Sequence, residues 1–204
     1  LINGKELYDI KADPGQKQDV ASANPEVVER LTAFYDAWWA ELEPTFSNAT
    51  AIYLGHPSEN PARLTSHDWI TTGGTPWNQA HIRRGINGPK DTGFWNVKVV
   101  EDGDYEISLR RWPEEANLAI DAPLAPGADV PGVKPMRTAQ GKAIKAVRAT
   151  VEIGGQKAEA KVEPGSKEVV FNMKLKAGKT RFSARFFEAD GEEYGAYYAY
   201  VRRK

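Results

Sequence analysis

The side chains best suited to holding a polyhydroxylated ligand fall in one stretch, residues 67–95, HDWITTGGTPWNQAHIRRGINGPKDTGFW. Trp77, Asn78, Gln79, His81 and Arg83 follow Pro76 there, between glycine-bearing turns. A sugar ring has an apolar face that stacks on an aromatic ring, while amides and guanidinium groups bond its hydroxyls or a sulfate ester. Those five residues are therefore the candidate substrate-binding set. Packing is the competing role for the Trp77, Asn78 and Gln79 group, and solvated edge charge for Arg83 and Arg84. Trp69 and Trp95 read as core.

Catalytic patterns are missing from the text. His56, His67 and His81 lack H-E-x-x-H or other short ligand spacings, no G-x-S-x-G is present, and Gly73 and Gly74 lack the lysine of a phosphate loop. The chain has no cysteine, which excludes disulfides, thiolate zinc sites and cysteine nucleophiles. Glu114 with Glu115, and Glu192 with Glu193, are adjacent, so in a strand they face opposite sides and read as solubility charges rather than as an acid–base pair. Asp102 and Asp104 flank Gly103 in the manner of a calcium pair, but a hairpin turn explains them fully. Arg111 beside Trp112 suits either a cation–π pair closing the fold or an anion contact. No catalytic or metal-ligating residue is expected in this chain.

The elements that would carry these residues are mostly strands. Trp95, Val97 and Val99 alternate, as do Tyr105, Ile107 and Leu109 after the turn at Asp102 and Gly103. Val147, Ala149, Val151 and Ile153 lead to Gly154 and Gly155, after which Ala158, Ala160 and Val162 return. Val169, Phe171, Met173 and Leu175, then Phe182, Ala184 and Phe186, then Tyr198 and Tyr200 complete the set, with a short strand at 51–54. Some eight strands joined by hairpin-like turns, with no helix between them, predict an antiparallel β-sandwich, jelly-roll-like. The Pro- and Gly-rich loop at 117–140 is too long for a simple turn.

The N-terminal part reads differently. Asn3 and Gly4 favour a type I′ turn and residues 6–10 alternate as a strand, so the chain is expected to open inside a hairpin, as a cut fragment would. Asp13, Pro14 and Gly15 form a turn. Asn24 as N-cap, Pro25 at the first helical position and a stripe of Val28, Leu31, Tyr35, Trp38 and Leu42 predict an amphipathic helix ended by Pro44. The expected organisation is a hairpin-plus-helix unit at 1–45, a connector at 46–66 and the β-sandwich at 67–204.

The charge pattern narrows the partners. A formal net charge of -1 argues against a nucleic-acid footprint. No apolar run approaches the roughly 20 residues of a membrane span.

The segment ELYDIKADPG at 6–15, followed by Asp19, Val20 and Ala21, by Asn24, Pro25, Glu26 and Val27, and by a helix reaching Trp38 and Trp39, resembles the C-terminal subdomain of type I sulfatases. Gln16 stands where that family often has Glu, and Asp19 where it often has Asn. The run Gly103, Tyr105, Ile107, Leu109 and Arg110 to Glu115 resembles a segment appended to some bacterial sulfatases. The resemblance implies a sulfuric-ester hydrolase as parent, with a formylglycine made in a C/S-x-P-x-R motif, a calcium ion, and a periplasmic or secreted location. That motif is absent here, since Ser58, Pro61 and Arg63 have the wrong spacing. The implied role of this chain is then non-catalytic: support or recognition of a sulfated saccharide beside the catalytic sulfatase domain of the same polypeptide. The alternative, from the residues alone, is a stand-alone carbohydrate-binding β-sandwich module.

Overall fold

The structure, a computed structural model, describes residues 1–71, 82, 92–133, 138 and 140–204. It divides into two compact units, Leu1–Ala49 and Thr50–Lys204.

In the first unit the helix α1, Pro25–Leu42, starts where the spacing predicts, with Pro25 at its first position. Asn24 does not cap it through its side chain; its amide donates instead to the Val20 carbonyl at 2.9 Å. The helix gives way to a single 3-10 turn, Glu43–Thr45, at Pro44, which lacks the N–H that helical bonding needs. The strand expected at 6–10 does not form: only an isolated Ile2–Glu6 bridge is present. Within 6–10 the Asp19 carboxylate takes the Leu7 N–H that a strand partner would use, and carboxylates hold the turns just beyond. Asp19 accepts from Leu7 (3.0 Å), Asp9 from Lys11 (3.0 Å), and Asp13 from Lys17 (2.6 Å) and Gln18 (2.7 Å). No residue of α1 is buried, and Phe34, Tyr35, Trp38, Trp39 and Phe46 are exposed.

The second unit is the predicted β-sandwich. One sheet runs β1 (Ile52–Leu54), β3 (Trp95–Val99), β8 (Gly178–Glu188), β5 (Ala146–Ile153), β6 (Gln156–Lys161), with β9 (Glu193–Gly195) also on β8. The other runs β2 (Ala62–Thr65), β10 (Tyr198–Arg203), β4 (Gly103–Arg110), β7 (Val169–Leu175). Leaving β1 and β9 aside, the chain crosses between sheets after every strand except at the β5–β6 hairpin, which is the double Greek-key winding of a jelly roll. All pairings are antiparallel except β1 with β3. β1 and β2 come from the stretch 46–66, read from the sequence as a connector; both pair within the sheets.

Alternation decides which face is sealed. Trp95, Val97, Phe182, Phe186, Val151 and Ile153 point inward from one sheet, and Leu64, Ile107, Leu109, Phe171, Leu175 and Val201 from the other. Each fully buried side chain of this size contributes about 1.5–3 kcal/mol. Trp95 is fully buried and its indole N–H donates to the Thr65 carbonyl at 2.7 Å, tying the two sheets together. The winding places the connections after β2, β4, β6 and β8 at one end of the sandwich and those after β3, β5 and β7 at the other. The second end has tight turns. Gly154 and Gly155 both have positive φ (59° and 73°), as a two-residue primed hairpin turn requires.

Candidate functional site

Trp77, Asn78, Gln79, His81 and Arg83 all lie outside the described residues. The two ends of their segment are defined. Ile70 and Phe94 exchange both backbone bonds, at 2.8 and 3.1 Å, so the two ends of the segment are held side by side at the start of β3. Trp69 and Trp95 are core, as the sequence suggests, 5% and 0% exposed, with ring centroids 5.6 Å apart.

The long connections at this end are knitted together by Arg111, which is 1% exposed. Its Nη1 donates to the carbonyls of Ile120 (3.3 Å) and Ala122 (3.2 Å), and its Nη2 to those of Ile82 (3.0 Å) and Lys142 (2.7 Å). The guanidinium stacks on Trp112 at 4.6 Å, which is the cation–π alternative of the sequence reading. Burial pushes its pKa down to about 10, because the charge has lost its water. Around it, Ile120 N–H donates to Ser166 (2.8 Å) and Gly165 N–H to the Asp121 carboxylate (3.0 Å), joining the β6–β7 connection to the same knot.

The outer face of the larger sheet carries groups that the sequence reading left out. With Phe182, Ala184 and Phe186 in the core, residues 181, 183, 185 and 187 of β8 point outward. At one end of this strip Arg181 lies 4.5 Å over the Phe94 ring, and at the other Arg148 lies 4.1 Å over the Phe187 ring. At about 3.3 Å per residue, positions 181 and 187 are roughly 20 Å apart. A groove of about 500 Å³ opens beside the first stack, lined in part by Phe94, Glu152, Gln156, Lys157, Arg181 and Ser183. Glu152 and Lys157 form a 3.2 Å ion pair across β5 and β6. Such a strip offers flat, partly cationic stacking surfaces with hydroxyl, amide and charged groups between them. The signal in the sequence was Phe187, an aromatic at an outward position next to inward Phe186; Phe94 gave no signal, since it precedes the strand pattern.

The other sequence candidates have structural roles. Asp102 accepts from Ala177 N–H (2.7 Å) and pairs with Lys176 (2.7 Å), so it stitches two neighbouring turns; Lys176 holds its carboxyl below the usual range. Glu115 forms a two-pronged pair with Arg63 at 2.5 and 3.2 Å. Glu188, Asp190 and Glu192 bring carboxylate oxygens within 4.8 Å of one another at the β8–β9 turn. The Tyr194 hydroxyl sits between Glu188 (2.9 Å) and Glu192 (2.8 Å), and burial with these two contacts raises its pKa. Among the described residues, no helix is long and apolar enough to cross a membrane.

No family model matches the chain, and no curated protein is detectably similar to it. Several solved structures are similar to it in part, three of them as follows. A ruminal GH26 endo-β-1,4-mannanase shares 17% identity over 71% of this chain and 26% of its own length, with a TM-score of 0.37, so the chain spans about a quarter of that enzyme. A family 35 carbohydrate-binding module from Clostridium thermocellum, in its native structure, shares 16% identity over 71% of this chain and 98% of the module, at a TM-score of 0.37. A further family 35 module structure from the same organism shares 12% identity over 72% and 96%, at a TM-score of 0.30.

Proposed function

We propose that the sandwich is a non-catalytic saccharide-binding module, and that the outer face of its larger sheet takes an extended anionic polysaccharide. The observation that carries this reading is the pair of guanidinium–phenyl stacks, Arg181 on Phe94 and Arg148 on Phe187, standing on one face with an open groove beside the first. A sugar ring stacks on the flat wall, and a sulfate or carboxylate on the chain meets Arg181, Arg148 or Lys157. The segment carrying Trp77, Asn78, Gln79, His81 and Arg83 returns to the sheet at Phe94, so a ligand on this face meets its foot. The test is a glycan array followed by calorimetry. Binding to sulfated or uronate-bearing oligosaccharides should weaken as salt rises and drop at least about tenfold in Arg181→Ala or Arg148→Ala, as expected for loss of a charge-assisted contact. Absence of binding to any anionic glycan, or binding indifferent to both substitutions, would sink the reading.

A second reading concerns the whole polypeptide: a sulfatase, with calcium and formylglycine in a catalytic domain of the same chain, working in the periplasm or outside the cell. Besides the residues of 6–39, its support is the aromatic face of the first unit. Tyr35 stacks on Trp39 (5.9 Å), and Trp39 meets Phe46 edge-on (5.2 Å), while all three stay exposed. Contiguous exposed aromatics of this kind mark a surface that another body covers. A C/S-x-P-x-R motif upstream in the same reading frame, with sulfate-ester hydrolysis by the full protein, is the expected result. An open reading frame without it removes this parentage and leaves the module.

A further inference from the structure

Lys98 on β3 and Lys179 on β8 stand directly opposite each other in the ladder, and Asn96 stands opposite Arg181 one step along the same face. Like charges directly opposite one another in an antiparallel pair repel and destabilise the sheet. Lysine is common on edge strands, where it blocks pairing with another chain. That explanation does not reach these two, because β3 and β8 are both interior to the sheet order. Residues two apart on a strand are about 7 Å apart and neighbouring strands about 4.8 Å apart, so Lys98, Lys179 and Arg181 share one small corner of the face. Among the described residues no carboxylate pairs with any of the three.

The cations farther along the face are placed differently. Arg148 pairs with Glu159 (3.4 Å), Lys157 with Glu152 (3.2 Å) and Arg185 with Glu193 (3.9 Å), so each of these charges has a counter-charge. The carboxylates that border the corner are engaged as well, Asp102 with Lys176 and Glu152 with Lys157. Two of the corner cations are held by neutral rings instead. The Lys98 ammonium lies 5.0 Å over the Tyr53 ring, and the Arg181 guanidinium 4.5 Å over the Phe94 ring. A ring orients a cation without cancelling its charge, whereas a carboxylate does both. Tyr53 is 51% exposed and stands on β1 opposite Lys98, so its ring forms the outer border of the corner. The uncompensated positive charge of this face is thus gathered on β3 and β8 beside β1. An anion seated between the two lysines turns their repulsion into attraction.

We propose that this corner, Lys98, Lys179 and Arg181 with Tyr53 as its wall, is a subsite for a tetrahedral oxyanion ester on the saccharide, a sulfate or a phosphate. A carboxylate has two oxygens in one plane. A sulfate or phosphate monoester presents three terminal oxygens in three directions, one for each cation. The proposal deepens the saccharide-binding reading and rests on it for the sugar; the anion contact stands without it.

The test uses the whole chain with Lys98→Gln, Lys179→Gln and Lys179→Glu. Calorimetric titration with a chondroitin sulfate hexasaccharide, its unsulfated counterpart and a phosphorylated mannose oligosaccharide reads the ester. Amide chemical shifts on adding inorganic sulfate, against chloride at the same ionic strength, read the anion alone. At least one esterified sugar should bind, and which one names the ester. The unsulfated counterpart, which keeps its carboxylates, should bind about tenfold more weakly than the sulfated form if sulfate is the ester. Each Gln variant should lose about tenfold in affinity, as for loss of a charge-assisted hydrogen bond. Inorganic sulfate should shift the amides of Lys98, Lys179 and Arg181 together, and Lys179→Glu should abolish the shift. Relief of the repulsion should raise Tm at low salt by about 1–3 °C in Lys179→Gln, and further in Lys179→Glu. A variant that is more stable yet binds less is an outcome that a merely structural lysine would not give. A fall in Tm in Lys179→Gln would overturn the proposal. So would affinity for the esterified sugar unchanged in both Gln variants, although the saccharide reading would then survive. Shifts at the three amides with no sugar bound would uphold the anion site and sink the saccharide reading. Neither shifts nor sugar binding would end both.

Discussion

Of the described glycines, Gly195 in β9 leaves the least room for a side chain, and replacing it by alanine tests the account of how the aromatic core is closed. A methyl group at Gly195 would lie 2.8 Å from Cζ2 and 3.0 Å from Cζ3 of Trp69 and would collide with Cη2 between them. Trp69 has no room to withdraw. Its ring packs on Trp95 at 5.6 Å and Tyr197 at 5.5 Å, and a Cβ at Gly93 would already be 2.7 Å from its own Cβ. Gly195 cannot withdraw either, being paired with Arg185 across β8 and β9. Overpacking of a filled core costs typically 1–3 kcal/mol, and with both partners pinned the upper end, about 3 kcal/mol, applies. For a protein of this size that lowers Tm by roughly 6–12 °C, at about 2–4 °C per kcal/mol. The assay is urea unfolding followed by far-UV circular dichroism, in a double-mutant cycle with Trp69→Leu. Leucine lacks the three ring atoms, so Gly195→Ala should cost less than about 1 kcal/mol in that background, a coupling of about 2 kcal/mol. An equal cost in both backgrounds would show that the penalty is not the clash with Trp69, and the reasoning would be refuted.

Three further outcomes are expected. Tyr194, Tyr105, Tyr198 and Tyr200 all have raised pKa values, with burial the first cause in each, so the folded state holds them neutral. Their contribution is complete below the unfolded tyrosine pKa of about 10 and is lost as pH climbs from there toward the folded values. Stability should therefore fall above about pH 10, and Tyr194→Phe should flatten that fall; an unchanged alkaline limb in thermal melts contradicts it. Asp19 holds Leu7 N–H and Ala21 N–H at 3.0 and 2.9 Å, and those two bonds keep its carboxyl below the usual range. Asp19→Asn, which retains an acceptor oxygen, should keep hydrogen-exchange protection at Leu7 while losing its acid sensitivity, and Asp19→Ala should lose the protection outright. Trp38 is 47% exposed, so Trp38→Arg should shift the unfolding midpoint by no more than a surface change does, within about 0.5 kcal/mol; a loss of several times that would place Trp38 in a core.

The alternation of β3, β4, β5, β7 and β8 was readable because each of these strands has one sealed face. Val169, Phe171, Met173 and Leu175 alternate without a break, and the structure buries all four. β2 was not readable: four residues in a stretch of Asn, Pro and Ser carry too short a pattern, and they become a strand only because β10 offers the partner. Residues 6–10 show the opposite error. The alternation was there, but Asp19 supplied an acceptor for the Leu7 N–H, while Asp9 and Asp13 turned the chain just beyond it. The assembly of the long connections was not legible for a different reason. Arg111 binds carbonyl oxygens, which every residue has, so its partners Ile82, Ile120, Ala122 and Lys142 leave no side-chain signature in the text.

The winding itself says where a ligand can go. The space between the sheets is filled by Trp95, Phe182, Phe186 and Phe171 and their neighbours among the described residues. The end with the tight turns is built for closure: Asp102 stitches two of them, and Gly154 and Gly155 complete the third. The outer strip of the larger sheet and the end with the long connections meet at Phe94, at the start of β3. A substitution at Phe94 is therefore the one that should disturb both. Phe94→Ala removes the wall on which Arg181 lies and loosens the foot of the segment, so its effect on saccharide affinity should exceed that of Arg181→Ala. The measurement is calorimetric titration of both variants with the same oligosaccharide. Equal losses would mean that the ring serves only to hold the guanidinium. A smaller loss for Phe94→Ala would mean that the strip and the loop end do not act together.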